Sequence, residues 1–464
     1  MRPHQLSAVA LLSAYRDRRL SPVEAMKDVL DRVAAFEPHI HATFLLNGER
    51  ALAEARASEE RWMRGAPSGA LDGVPTTVKD NIATKGEPTP VGTAASALTP
   101  AERDAPPAAR LREAGAIIFA KTTMPDYGML SSGLSSFHAL ARNPWNLSRN
   151  PGGSSAGASA AAAAGYGPLH VGTDIGGSVR LPAGWCGIFA LKPSAGRIPI
   201  DPPYIGRVAG PMTRSVDDAA LLMATLSQPD ARDFMSLPPQ ALDWRIEPAR
   251  LRGLRIGLLL DAGCGWPPAP EVRSAIEAAA RDFALAGAIV EPLAPFLTQE
   301  MLDGLDRFWR MRSLMDIRAL PADRREKILP FIRTWAESAS SLSTEQLFHG
   351  FNQIMAMRKA AVAASIPFDF ILSPTAPMTA YAAELPSPSN DPLNPFPHIG
   401  FTVALNMSEQ PAATINCGYD AEGMPIGLQI IGRRFDDIGV LSAARAVEEM
   451  RVGAAHAWPE PPAP

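Results

Sequence analysis

The sequence predicts an α/β fold with a mixed or mostly parallel sheet. Short apolar runs alternate with longer stretches of helical spacing along most of the chain. Hydrophobic residues make up 46% of the 464 positions and charged residues 20%, a globular composition with enough apolar mass for a sizeable core. A helix start is also explicit: Ser21-Pro22-Val23-Glu24 places Ser at the N-cap, Pro at the first helical position and Glu at the third.

That helix is expected to run to about Phe36, within an N-terminal helical segment over residues 1–65. Val74 to Val78 reads as a strand ending at Lys79. Pro106 to Ala114 reads as a helix, followed by the apolar strand Ala116 to Ala120. Ala156 to Ala164 is helical by composition, and Leu169 to Thr173 is a short strand. Further strands are expected at Leu254–Leu260, Ala288–Val290, Phe370–Leu372, Ala413–Asn416 and Ile426–Ile431, with helices at Glu271–Ala286 and Asp436–Met450. Leu302 to Ala363 breaks this rhythm. It is helical and carries Phe308, Trp309, Met311, Met315, Phe331 and Trp335. The favoured reading is a helical insertion burying its own small core; the sharper one is a cap near the substrate pocket. Pro-rich stretches at Pro386–Pro397 and Pro459–Pro464 read as loop and tail, the tail covering 456–464.

Several functions are disfavoured. The formal charge is 44 − 48 = −4, so no bulk attraction to nucleic acid or to an anionic membrane surface is expected. Cys186, Cys264 and Cys417 are far apart and form no CxxC pair, which disfavours a disulfide framework or zinc site and suits a reducing cytoplasm. The apolar patch near the N-terminus is interrupted by charge and does not read as a signal peptide. Ala156 to Gly165 is only about half the ~20 residues needed to cross a bilayer. No phosphate-binding G-x-x-x-x-G-K-[ST] run is present, and no cofactor or metal is expected.

The chemistry concentrates between Gly152 and Pro199. Two glycine-serine clusters lie there, Gly152-Gly153-Ser154-Ser155 and Gly176-Gly177-Ser178. Glycines beside hydroxyls suit a backbone that must approach a reacting group, because glycine adds no Cβ. Consecutive N–H groups around Asp174-Ile175-Gly176-Gly177-Ser178 are able to form an anion-binding nest, with Ser178 presenting its hydroxyl to the same carbonyl carbon. Lys79, in a second glycine-containing turn, is a candidate base if desolvation keeps it neutral. Histidines occur at 4, 39, 41, 138, 170, 349, 398 and 456, and spacing alone does not exclude one as the base. Gly153-Ser154-Ser155-Ala156-Gly157 also fits G-x-S-x-G with Ser155 as nucleophile. That elbow requires an apolar strand before it, whereas Arg142 to Pro151 reads as a loop. Alone, each feature is an ordinary turn, loop or solvated lysine; together they point to acyl transfer.

These residues resemble the amidase signature family of serine hydrolases. The resemblance covers Lys79-Asp80-Asn81, Gly152 to Gly157, Gly172 to Pro182, Lys192-Pro193 with Gly196-Arg197, Gly210-Pro211-Met212 with Arg214-Ser215-Val216, and Gly423 to Gly432. The separation of the two serines, 178 − 154 = 24, is also that family's spacing. The resemblance implies a triad of Ser178 as nucleophile, Ser154 as bridging serine after a cis peptide bond, and Lys79 as base. It implies an oxyanion hole from the N–H groups of Ile175, Gly176, Gly177 and Ser178, with Asp174, Ser155 and Arg180 holding these loops. The implied fold is one α/β/α domain over 1–464 around a mixed, twisted sheet of about eleven strands. Within it, 66–220 is the catalytic core and 300–363 the helical insertion. Ala156 and Ala190 stand where the family usually has glycine, a mild departure.

Met124-Pro-Asp-Tyr-Gly-Met-Leu130 differs from the Met-Asp-Glu-Phe-Ala-Met run typical of the A subunit of glutamyl-tRNA(Gln) amidotransferase and looks more like stand-alone amidases. Tyr127, Gly128, Met129 and Leu130 are therefore the expected substrate contacts. The expected activity is hydrolysis of a small apolar or aryl amide through an acyl-enzyme, with carbamate (urethane) and ester cleavage as related activities. The expected partner is a small-molecule amide or carbamate, with no nucleic acid and no membrane, and the expected state is a monomer or homodimer. The alternatives are an amidotransferase A subunit and a non-catalytic amidase-like scaffold.

Overall fold

The computed structural model describes residues 2–451 and 457–460. Its centre is one eleven-stranded sheet. The strands are β1 (Thr43–Phe44), β2 (Pro75–Lys79), β3 (Ile117–Thr122), β4 (Leu169–Asp174), β5 (Phe189–Lys192), β6 (Val208–Thr213), β7 (Arg255–Leu258), β8 (Ile289–Pro292), β9 (Phe370–Pro374), β10 (Ala412–Tyr419) and β11 (Pro425–Ile431). Their spatial order is β1-β3-β2-β4-β6-β5-β10-β11-β9-β7-β8.

The sheet is mixed, and its two directions are segregated. β2 pairs in parallel with β3 and β4 on one wing, and β7 with β8 and β9 on the other. Between the wings, β4, β6, β5, β10, β11 and β9 pair antiparallel in succession. Every residue of β2, β3 and β4 is buried, as expected of strands covered on both faces. β3 shows how: Ile118 joins one apolar cluster, with the helices Pro106–Glu113 and Val216–Leu226, while Ile117 and Phe119 join another, with the helices Pro22–Ile40 and Ala156–Ala164. Neighbouring side chains on a strand face opposite sides, so helices cover both.

The first long helix opens as its sequence dictates. Ser21 Oγ accepts from Glu24 N–H at 3.2 Å, and Glu24 Oε2 accepts from Ser21 N–H at 2.8 Å. It runs on to Ile40, past the expected end near Phe36, because its buried stripe continues through Val33, Phe36 and Ile40. The stretch 302–363 is helical as expected, chiefly Gln299–Arg318 and Thr344–Ser365. These two helices cross where Gly304 meets Gly350: a Cβ on Gly350 would lie 2.6 Å from the Gly304 carbonyl oxygen.

Of the expected tail, 456 and 461–464 lie outside the described residues. Within it, Arg32 donates to the Pro459 carbonyl at 2.7 Å and to Glu460 at 2.6 Å. Among the described residues no helix is long and apolar enough to cross a membrane, and Cys186, Cys264 and Cys417 are buried free thiols.

Candidate active site

Parallel pairing of β2 and β4 brings their C-terminal ends to the same sheet edge, where ligands bind in α/β sheets. Lys79 ends β2, and Asp174 ends β4. The Lys79 side chain is fully buried. Its Nζ lies 2.8 Å from Ser154 Oγ, 3.0 Å from Ser155 Oγ and 3.1 Å from Thr173 Oγ1. Burial pushes its ammonium down to about 7; the charge of Arg207 acts in the same sense, and Asp174 and Asp80 oppose it. Asn81 holds Thr173 in place through a 3.0 Å hydrogen bond to its hydroxyl. The Gly153–Ser154 peptide bond is cis, and this is the serine against Lys79.

The loop after β4 is clamped from behind. Asp174 accepts from the Gly177 N–H at 2.8 Å, the Val179 N–H at 3.1 Å and the Arg180 guanidinium at 3.0 Å through both of its oxygens. Burial alone would raise the Asp174 carboxyl, but the paired Arg180 overrides it and holds the group well below the usual carboxylate range. Arg180 in turn donates to the Thr402 carbonyl, Gln429 Oε1 and Asn406 Oδ1 at 2.9, 2.8 and 2.6 Å. Thr402 Oγ1 donates to the Gly176 carbonyl at 2.7 Å, and Asn406 donates to Asp174 at 2.8 Å. The Gly177 N–H is thus turned inward. Among the described residues the N–H groups of Ile175, Gly176 and Ser178 meet no intramolecular acceptor. Ser178 is half-buried and lines a cavity with Gly128, Met129, Leu130, Ser131, Ile175, Gly176, Trp309, Phe396 and Ile399. A Ser178–Ser154 hydroxyl hydrogen bond is not among those formed, and such links often tighten only around substrate.

The alternative bases and nucleophile are engaged in other contacts, Ser155 at the Lys79 amine itself and His398 behind the cavity wall at Ser131. His138 Nε2 bonds Asp80 at 2.8 Å, His170 Nδ1 bonds Thr77 at 2.8 Å, and His398 Nε2 bonds Ser131 at 2.7 Å. Burial pushes His170 and His398 down to about 3, so both are neutral imidazoles. Ser155 is fully buried, donates to the Thr173 carbonyl at 3.1 Å, and follows a loop rather than a strand.

Gly128, Met129 and Leu130 line the cavity; Tyr127, at φ 52°, is not among the lining residues and packs against the apolar cluster that holds Met129, Leu130 and Trp309. Gly128, at φ 67°, passes so close that a Cβ would lie 3.1 Å from Ser154 Oγ. Of the expected insertion residues, Trp309 reaches the cavity, while Met315 is 57% exposed on the far side. Sequence reasoning missed Thr402, Asn406, Phe396 and Ile399, which arrive from segments more than 200 residues distant and carry no local motif; Gln429 lies within the Gly423–Gly432 motif, but its role at Arg180 was not anticipated. A wider surface cleft of about 750 Å³, lined by Tyr15, Arg18, Trp62 and neighbours, contains none of the three triad candidates.

The sequence profile of the Amidase family matches residues 24–441. The chain is 32% identical to the A subunit of glutamyl-tRNA(Gln) amidotransferase from Anaeromyxobacter sp. (strain K), with 96% of each chain covered. It is equally 32% identical to the A subunit from Myxococcus xanthus (strain DK1622), covering 92% of this chain and 93% of that one. Among solved structures it resembles a bacterial aryl acylamidase of the amidase signature enzymes, with 30% identity, 96% of each chain covered and a TM-score of 0.87.

The curated relatives correct two expectations. A small apolar or aryl amide as the substrate of a stand-alone hydrolase is overturned, because the A-subunit likeness runs through 96% of the chain. The contrary signal, Met124 to Leu130, is a handful of side chains in one loop. The exclusion of nucleic acid, with a monomer or homodimer as the state, is overturned by the same relatives, whose name carries a tRNA. Net charge reports bulk attraction only and does not decide whether a chain works beside a nucleic acid.

Proposed function

This chain belongs to the amidase signature family and is an amide C–N hydrolase by that membership; we propose that it is the amide-cleaving subunit of a tRNA-dependent amidotransferase, releasing ammonia from a glutamine-type carboxamide. The breadth of the A-subunit match supports the substrate class. The observation that carries the chemistry is the buried Lys79 amine 2.8 Å from Ser154 Oγ, beside a cavity that Ser178 lines.

In the proposed reaction, Ser178 Oγ attacks the carboxamide carbon. Its proton passes to Ser154, whose own proton goes to neutral Lys79. The carbonyl electron pair moves onto oxygen, which the N–H groups of Ile175, Gly176 and Ser178 receive, while Asp174 keeps Gly177 turned inward and the loop rigid. Collapse breaks the C–N bond as the proton returns through Ser154 to the leaving nitrogen. Water then cleaves the acyl-enzyme by the same relay. Activated esters and carbamates share the tetrahedral intermediate and are proposed as slower side substrates. Free buried thiols suit a cytoplasmic setting for this assembly.

The test is glutamine-dependent amidation of glutamyl-tRNA(Gln) by the chain combined with the other subunits of such an enzyme. Glutamate, ammonia and amidated tRNA are expected, and all are lost in Ser178→Ala. Failure of the chain to associate with those subunits, with no glutaminase activity, would remove the proposal.

A further inference from the structure

Two guanidinium groups without a carboxylate partner lie next to residues that neighbour or form the wall of this cavity. Arg207 immediately precedes β6, and Val208 pairs with Asp174 across the ladder, so Arg207 sits beside Ile175 at the oxyanion loop. Arg312 lies one helical turn beyond the cavity-lining Trp309, and its Nη2 contacts Met129 Sδ at 3.3 Å. Met129 is itself a wall of the cavity. Tyr204 lies between the two arginines: its ring centroid is 4.6 Å from the Arg312 Cζ and 5.9 Å from the Arg207 Cζ.

Among the described residues neither guanidinium has an ion-pair partner within 4.0 Å, and Arg312 Nε is buried without a hydrogen bond. The buried arginines differ from these two half-buried ones. Arg180 and Arg197 each hold a buried aspartate, at 3.0 Å in both cases. Burial pushes the Arg207 guanidinium down, and the nearby Arg312 pushes it further. Asp316, exposed and one turn beyond Arg312, acts on Arg207 and Tyr127 only through space. Two like charges held around one phenol ring, one of them against a wall residue of the cavity, are complementary to an anion placed between them.

We propose that Arg207 and Arg312 form a carboxylate-recognition site, so that the acyl substrate carries an anionic group beyond its scissile amide. This rests on the proposed cleavage of a glutamine-type amide and assigns the residues that would hold its carboxylate end. The fork geometry of each guanidinium suits a planar carboxylate, and the site also selects against neutral acyl chains, which would leave both charges uncompensated.

The test is protection of Ser178 from a small uncharged fluorophosphonate by glutarate or by glutaramide, its neutral diamide, in the full chain. Charge-assisted hydrogen bonds to a carboxylate are each worth about 1.5–3 kcal/mol, so glutarate should protect at roughly 10- to 100-fold lower concentration than glutaramide. In Arg312→Met and Arg207→Met, each measured against its own unprotected labelling rate, that advantage should vanish. Arg312→Lys should retain part of it. Equal protection by both compounds in the unsubstituted chain, or an advantage that survives both Met variants, overturns the carboxylate site while leaving amide cleavage standing. A fluorophosphonate that never modifies Ser178 sinks the catalytic reading itself, a separate outcome.

Discussion

The glycine-serine loops over 152–180 and the helix Gln299–Arg318 meet at one cavity but are built in opposite ways. The loops are almost wholly buried and cross-tied, from Lys79 through Ser154, Ser155 and Thr173 to Asp174 and Arg180. The helix offers one buried indole, Trp309, and one guanidinium without an ion pair, Arg312, and anchors itself through a separate buried stripe that includes Leu302, Leu305, Leu314 and Ile317. Reaction chemistry demands fixed atoms and is therefore written in a rigid stretch. Selection among substrates is assigned to an element that is free to vary without disturbing that frame.

The loop side of this comparison predicts the largest losses. Ser178→Ala should lower amide turnover by roughly 10⁴-fold or more while leaving the thermal transition unchanged, since only the attacking oxygen is removed. Lys79→Ala should cost roughly 10²–10⁴-fold, and Lys79→Arg should not rescue, because guanidinium stays protonated. In the proposed relay the lysine works as the neutral amine, and burial pushes its ammonium down to about 7. Activity should thus rise with pH through about 7 and fall on the acid side. A flat profile from pH 5 to 9 would remove Lys79 from the relay.

Ser154→Ala separates two roles within the loop. An amide nitrogen needs a returned proton, whereas a p-nitrophenolate leaves without one. The substitution should damage kcat/KM for an amide more than for the p-nitrophenyl ester of the same acyl group, within a span of roughly 10²–10⁴-fold. Equal losses would limit Ser154 to positioning Ser178. Asp174→Asn tests the clamp: it leaves Arg180 fully buried without its counter-charge. Stability should fall by about 3–5 kcal/mol, read by denaturant titration. A change below about 1 kcal/mol would show that the neutral hydrogen bonds suffice.

The helix side predicts the smallest effect. Trp309→Ala should raise KM about tenfold with little change in kcat, because an apolar wall contributes ground-state and transition-state contact alike. A loss confined to kcat would place Trp309 in the machinery rather than in the wall.

The same division governs what was legible in the sequence. Lys79, Ser154 and Ser178 stand in short glycine-punctuated motifs, so their candidacy is visible locally. Helix Ala156–Ala164 and the strand ending at Lys79 were likewise readable from composition and run length. β6 was not, because Val208-Ala-Gly-Pro-Met-Thr213 carries Gly and Pro inside a strand. β5 is four residues followed by Pro193, too short to stand out. Thr402 and Asn406 act only through Arg180, Asp174 and Gly176, across more than 200 residues of chain, and no local pattern announces them; Gln429 stands in the Gly423–Gly432 motif, but its contact with Arg180 is equally distant. Substrate class misled for a related reason. The Met124–Leu130 run looks more like stand-alone amidases, but it is one wall of a cavity that Trp309, Phe396 and Ile399 also line from elsewhere.

The central claim is that a buried neutral lysine activates Ser178 within the loop frame. The most direct measurement is mass-spectrometric mapping of fluorophosphonate modification as a function of pH. The account predicts a single adduct on Ser178, forming more slowly below about pH 7 and suppressed in Lys79→Arg. An adduct on Ser155, or modification of Ser178 at full rate in Lys79→Arg, would contradict it.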